Sequence, residues 1–385
     1  MRIELAVSSA ANRVADTSEL DHLKFLDGLR ALCALFVVLH HAYLTVWNVA
    51  AHRMPPPKVF AYTQWLIHGT SAVGVFIVIS GYCLMLPVIK NDGVLKRGAI
   101  AFFKKRARRI LPPYYFAMLF SALLAALAIH VKTGTQWDAS VPVTLHGIFN
   151  HIFLVNDALN DTSINYVFWS ISVEWRIYFV FPILVILWRK WGAARACMAG
   201  ILAGYILRYV TNHLGFGGVT AHYLALFSLG MLGATISMSA DPKWRALRER
   251  LPWNAITMAI AAILVVAHCV MGWEKFAGRY VWIDFVIGLW AMSLLVTASQ
   301  SVKSTWLLSA RLLTWIGTFA YSLYLIHAPL LQVLWQYILR PMHLPALFAF
   351  LTLAFAGVPT IVLLSYGFYL LCERPFINKP ASKTT

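Results

Sequence analysis

The chain has 385 residues, of which 60% are hydrophobic and only 12% charged, with a mean hydropathy of +0.69. Soluble domains carry roughly a quarter charged residues; a chain this poor in charge cannot cover a soluble globule and is read as an integral membrane protein. The formal net charge of +17 does not point to nucleic acid, because the basic residues cluster between long apolar runs, where they set topology and meet anionic lipid headgroups.

The first 24 residues are polar and mixed in charge, without the basic-then-apolar form of a cleaved signal peptide, and are expected to stay as a cytoplasmic tail (1–24). A spanning helix needs about 20 mostly apolar residues. Ten runs qualify, near Leu26–Val49, Trp65–Ile89, Ile110–His130, Val167–Trp188, Ala193–Val210, Tyr223–Met238, Asn254–Met271, Tyr280–Thr297, Leu312–Leu339 and Leu344–Cys372. The expected fold is all-α, a polytopic bundle of about ten transmembrane helices over 25–376, with both termini cytoplasmic and a short C-terminal tail (377–385). With the N-terminus inside, 23 Lys and Arg fall in inside segments, 7 in outside segments, and Arg30 and Arg176 within spans, which follows the positive-inside bias.

The longest outside loop runs from about Val131 to Tyr166, and its apolar stretch Leu145–Val155 carries His146 and His151. An interfacial or re-entrant helix over the outer mouth and an ordinary surface loop fit it equally. Cys33, Cys83, Cys197, Cys269 and Cys372 form no C-x-x-C pair and read as small hydrophobes without disulfide or metal. No internal repeat of the transporter kind is evident.

Ionisable groups inside spans are costly and are functional candidates by default. The first span, FLDGLRALCALFVVLHHAYL, places His41 eleven residues beyond Arg30, roughly 16 Å deeper at 1.5 Å per residue. Asp27 is within reach of Arg30. The fourth span enters from outside and carries Glu174 roughly 10 Å below the outer boundary, close to the depth of His41; an acid and a histidine at one depth suggest a base and its orienter. A structural ion pair of Glu174 with Arg176 or Arg208 is the other reading. The ninth span, TFAYSLYLIHAPLL, brings His327 to about 24 Å, the depth of His41, with the hydroxyls of Tyr321, Ser322 and Tyr324 below it. A packed core histidine is the alternative for His41 and for His327. In the inside loop FFKKRARRILPPYY, Arg106 and Arg109 are three apart and share a helix face; guanidinium forks suit phosphate.

Taken together, residues 22–378 resemble the acyltransferase-3 family of integral membrane acyltransferases. The resemblance rests on six segments in order: Arg30…His41 as Arg-x10-His, GVFIVISGY at 74–82, RARR at 106–109 as Arg-x-x-Arg, FWSISVEWRIYFVFP at 168–182 with Ser170 and Glu174, YSLYLIH at 321–327, and CERPF at 372–376. The family spacing selects His41 over His40.

The resemblance implies transfer of an acyl group, usually acetyl, from acyl-coenzyme A to a carbohydrate hydroxyl of a surface polysaccharide, a lipid-linked glycan or a glycosylated metabolite. It implies a multi-pass protein of a cell membrane, the bacterial inner membrane. Some members carry an extracytoplasmic hydrolase-like domain; these 385 residues leave no room for one, so the membrane domain is expected to act alone or with a separate extracytoplasmic partner. The expected roles are His41 as general base with Glu174 as orienter, Arg106 and Arg109 on the coenzyme A phosphates, Arg30 at the donor or inner mouth, and Ser170, Tyr321, Ser322 and His327 lining the cavity. No metal is required. A glycan or lipid transporter or flippase is the alternative class, and membrane-bound O-acyltransferases, which lack the early Arg-x10-His, rank lower. Acceptor identity, acyl length and oligomeric state stay open.

The charge split predicts the topology. Single cysteines at Ala139 and Asp161 should react with an impermeant thiol reagent added from outside, and those at Gly93 and Lys243 should not. Labelling of Gly93 from outside would overturn the orientation.

Overall fold

The computed structural model describes residues 2–300 and 306–377, with side chains from residue 24 onward. Lys303, Lys379 and Lys383 of the charge count, and the proposed tail beyond residue 377, lie outside the described residues.

The described chain is helical without strands. Its helices are α1 (Arg2–Val46), α2 (Pro57–Thr63), α3 (Gly69–Ile89), α4 (Gly98–Leu127), α5 (Leu145–Ile152), α6 (Trp169–Trp191), α7 (Ala193–His213), α8 (Tyr223–Met238), α9 (Pro242–Arg250), α10 (Trp253–Gly278), α11 (Tyr280–Gln300), α12 (Arg311–Thr318), α13 (Ala320–Leu334), α14 (Ala346–Thr352) and α15 (Val358–Phe368). Among the described residues nine helical segments are long and apolar enough to cross a membrane, or ten if the bent pair α8–α9 is one span. The sixth sequence run coincides with α8. At 16 residues it is about 24 Å long, short of a hydrocarbon core of about 30 Å, but nearly all its side chains are buried. It therefore faces protein rather than lipid.

The α3–α8 crossing is the tight centre of the bundle. A Cβ at Gly81 would collide with the Phe227 carbonyl, and one at Gly230 with the Val78 carbonyl; reciprocal small residues let two membrane helices close on each other. α7 and α11 flank α8, α1 packs on α3, α12 and α13, and α10 lies against α11 at the rim.

The ninth run is not one helix. It breaks at Phe319 into α12 and α13, so the depth count from Arg311 to His327 does not follow a continuous rise. The last two spans are widened by three π turns, Trp335–Leu339, Leu353–Gly357 and Tyr369–Glu373. Each has at its centre the residue four before a proline, namely Pro341, Pro359 and Pro375. A proline ring clashes with the carbonyl of residue i−4, and the wider turn makes room for it.

The loop 131–166 folds back onto the bundle. Arg176 forms an ion pair with Asp157, Ser172 donates to Asn156 (2.5 Å), and Asn165 donates to Ser121 Oγ and the Leu325 carbonyl (3.1 Å each). Within it α5 turns Leu145 and Phe149 outward and buries Asn150 and His151. His151 donates to the Gly147 carbonyl, and burial pushes its pKa down.

Candidate active site

A cavity of about 450 Å³ lies between α1, α3, α4, α6, the α12–α13 break and the last π turn. Its wall brings together Arg30, Arg106, Arg109, Ser170, Glu174 and Tyr321, six of the residues given a role in the sequence analysis, with Asp27 and Tyr324 beside them, and adds Ser80, Cys83, Tyr178 and Glu373. The i,i+3 spacing puts both Arg106 and Arg109 on the cavity face of α4. Arg106 also lies over the Phe102 ring, 5.9 Å from its centroid, and its buried Nε has no partner.

The charges on this wall are held locally. Arg30 donates to Asp27 Oδ1 (2.9 Å) and to Cys83 Sγ (3.2 Å). Tyr178 donates to Glu174 Oε1 (2.5 Å) and accepts from Ser80 (3.2 Å). Glu373 accepts from both the backbone and the hydroxyl of Ser322 (3.2 and 2.5 Å). Three arginines thus face three carboxylates in one enclosure, an arrangement that limits the cost of charge away from water.

Neither His41 nor His327 is on this wall. Tyr324, which is, donates to the Val167 carbonyl (3.0 Å) and accepts from Ser170 (2.7 Å), and the His327 ring is 5.7 Å from the Tyr324 ring. The His41 and His327 rings are 5.1 Å apart, with Tyr166 5.0 Å from His41. His327 Nδ1 donates to the Tyr324 and Leu323 carbonyls (2.7 and 3.2 Å), so its proton is on Nδ1 and its buried, unpartnered Nε2 carries the lone pair. His41 Nδ1 donates to Gln136 Oε1 (2.9 Å), which leaves Nε2 as the basic atom there too. His40 is turned elsewhere: its Nδ1 donates to the Leu66 carbonyl (2.6 Å), and its ring lies where a Cβ on Gly69 would be.

Three expectations are corrected in detail. Glu174 and His41, expected as orienter and base, take different partners, Tyr178 and Gln136. Nor does Glu174 pair with Arg176 or Arg208, which turn to Asp157 and to the Gly217 and Val219 carbonyls. Ser322 and His327, expected on the cavity wall, are fully buried behind it, because Tyr321 and Tyr324 occupy the i,i+3 face of α13 that lines the cavity. Gln136 was missed: a single glutamine in a polar loop carries no sequence signal of what it touches. Among the described residues no group of three or more His, Cys, Asp or Glu is arranged to hold a metal ion.

A polytopic bundle with a charge-lined internal cavity and a pair of histidines in ring contact beside it defines the class. The model of the acyltransferase-3 family, described as an acyltransferase domain, matches residues 23–370, and the chain belongs to that family. It is 23% identical to "Putative peptidoglycan O-acetyltransferase YrhL" of Bacillus subtilis (strain 168), over 92% of this chain and 57% of that protein. It is 22% identical to "Putative O-acetyltransferase SACOL0978" of Staphylococcus aureus (strain COL), over 91% and 56%. It is 24% identical to "Nodulation protein 10" of Rhizobium leguminosarum bv. viciae, over 47% and 49%. The chain thus spans about half the length of the curated relatives it matches. No solved structure matches it.

Proposed function

We propose that this chain is an O-acetyltransferase that moves an acetyl group from acetyl-coenzyme A to a carbohydrate hydroxyl, as a multi-pass protein of the bacterial inner membrane. The observation that carries the reading is the cavity with Arg30, Arg106 and Arg109 on one wall together with the Ser170–Tyr324 contact, which His327 and His41 back. A volume of about 450 Å³ is in the usual range for a small-molecule site, roughly 300–1,000 Å³. The relatives named as O-acetyltransferases support the same acyl group, and the one named for peptidoglycan supports a glycan acceptor.

In this reading Arg106 and Arg109 hold the coenzyme A phosphates through charge-assisted forks, and the pantetheine arm passes Arg30 along the cavity. The thioester end parts the Ser170–Tyr324 contact. The acceptor hydroxyl attacks the thioester carbonyl while His41 Nε2 takes its proton. The Ser170 and Tyr324 hydroxyls donate to the oxyanion. As the tetrahedral adduct collapses, the C–S bond breaks and the imidazolium returns the proton to the thiolate, giving the O-acetyl product and coenzyme A. Glu174, bonded to Tyr178, balances the arginine charges on the wall instead of orienting His41.

Two expectations test this reading. In purified, folded protein, His41→Ala should lose about 10²–10⁴-fold in acetyl transfer, the usual contribution of a general base, while His40→Ala stays within a few-fold of the parent. Full activity in His41→Ala would favour a transporter. Arg109→Lys keeps the charge but loses the fork, so it should raise the KM for acetyl-coenzyme A with little change in kcat. An unchanged KM in the Arg106→Ala/Arg109→Ala double variant would reduce the pair to a topology anchor.

A further inference from the structure

The basic atom of His41 is defined from outside the helix that carries it. Gln136 opens a short 3₁₀ turn, Gln136–Ser140, in the outer loop, and its neighbours are braced on both sides. The buried Thr135 donates to Gln332 Oε1 of α13 (2.8 Å), and Gln332 donates to Thr133 (2.9 Å). Asp138 accepts from the backbone N–H groups of Thr133 and Gly134 (2.9 and 2.8 Å). The buried Trp137 indole donates to the Ile129 carbonyl (3.1 Å), and its ring lies 6.2 Å from Tyr166, which packs on His41. A turn held at so many points presents the Gln136 amide in one place.

We propose that Gln136 is the positioning residue of the His41 base, its carbonyl oxygen holding the proton on Nδ1 and presenting the lone pair on Nε2 to the acceptor. The inference deepens the reading above and rests on it. It places the role of an orienting carboxylate with a neutral amide from the outer loop. A neutral orienter selects the tautomer with less pull toward imidazolium than a carboxylate exerts, so the base is set from the loop that carries Gln136 while the donor enters among the arginines.

The test uses the full chain in lipid nanodiscs, with histidine labelled with ¹⁵N and ¹³C and His41 assigned by comparison with His41→Asn. The parent should show His41 as the neutral Nδ1–H tautomer. Gln136→Leu, which removes the acceptor, should show a mixture enriched in Nε2–H. With acetyl-coenzyme A and a solubilised peptidoglycan fragment as probes, its kcat should fall about 10–100-fold, less than the about 10²–10⁴-fold that a general base itself contributes, with KM for acetyl-coenzyme A unchanged. Gln136→Glu keeps an acceptor oxygen and should restore the tautomer. The groups facing His41 are His40 on its own helix, Tyr166, His327 on α13 and Gln136. A carboxylate added to that set favours imidazolium, so the acidic limb of the kcat profile should move to higher pH. A Gln136→Leu protein with the parent's tautomer, kcat and pH limb overturns the proposal, as does a rise in KM alone with the tautomer kept. If His41→Ala is itself fully active, the broader reading fails instead.

Discussion

Charge buried in an apolar bundle has to find its partners there, and this requirement organises the molecule around the cavity. Arg30 is answered by Asp27 one turn below it, Glu174 by Tyr178 one turn along, and Glu373 by the start of α13. These pairings join a helix to itself or to the neighbour it must pack against, so the charges that a ligand would meet also fix the helices that carry them. Arg176, on the same helix as Glu174, instead turns to Asp157 in the loop 131–166, and neutral hydrogen bonds of Asn165, Asn156 and Thr135 bind that loop to the bundle.

The prolines of the last two spans show how sequence is turned into placement. In each case a proline that cannot accommodate the carbonyl four residues back is preceded by a π turn centred on that carbonyl. The third matters most. Pro375 widens Tyr369–Glu373, and the extra residue per turn ends with Glu373 against Ser322 on the cavity side. The Glu-x-Pro run near the C-terminus is thus a backbone device with a carboxylate at its end.

Much of this was legible in the sequence because period and charge act locally. The apolar runs mark the spans, Arg106 and Arg109 share a face because they are three apart, and the Arg30-to-His41 spacing separates the cavity wall from the histidine pair along one helix. Depth arithmetic brought His41 and His327 to one level, though the break at Phe319 means that the count for His327 did not trace the actual path. It also puts Glu174 at the level of His41, yet the two take different partners, because depth says nothing of azimuth: Glu174 bonds Tyr178 on the cavity wall, while His41 bonds Gln136. Gln136 was invisible for the opposite reason. It lies 95 residues from its partner, in a segment whose conformation is set by tertiary contacts rather than by periodicity.

The proposed transfer needs one path from the arginines to the histidines. The most direct measurement is an electron cryo-microscopy structure of the protein in nanodiscs with a thioether analogue of acetyl-coenzyme A that cannot transfer its group. The account predicts phosphate density against Arg106 and Arg109, the arm passing Arg30, the Ser170–Tyr324 contact opened, and the acetyl-like end facing His41 Nε2. An analogue bound elsewhere, or a cavity filled by lipid with the Ser170–Tyr324 contact closed at saturating analogue, would contradict it.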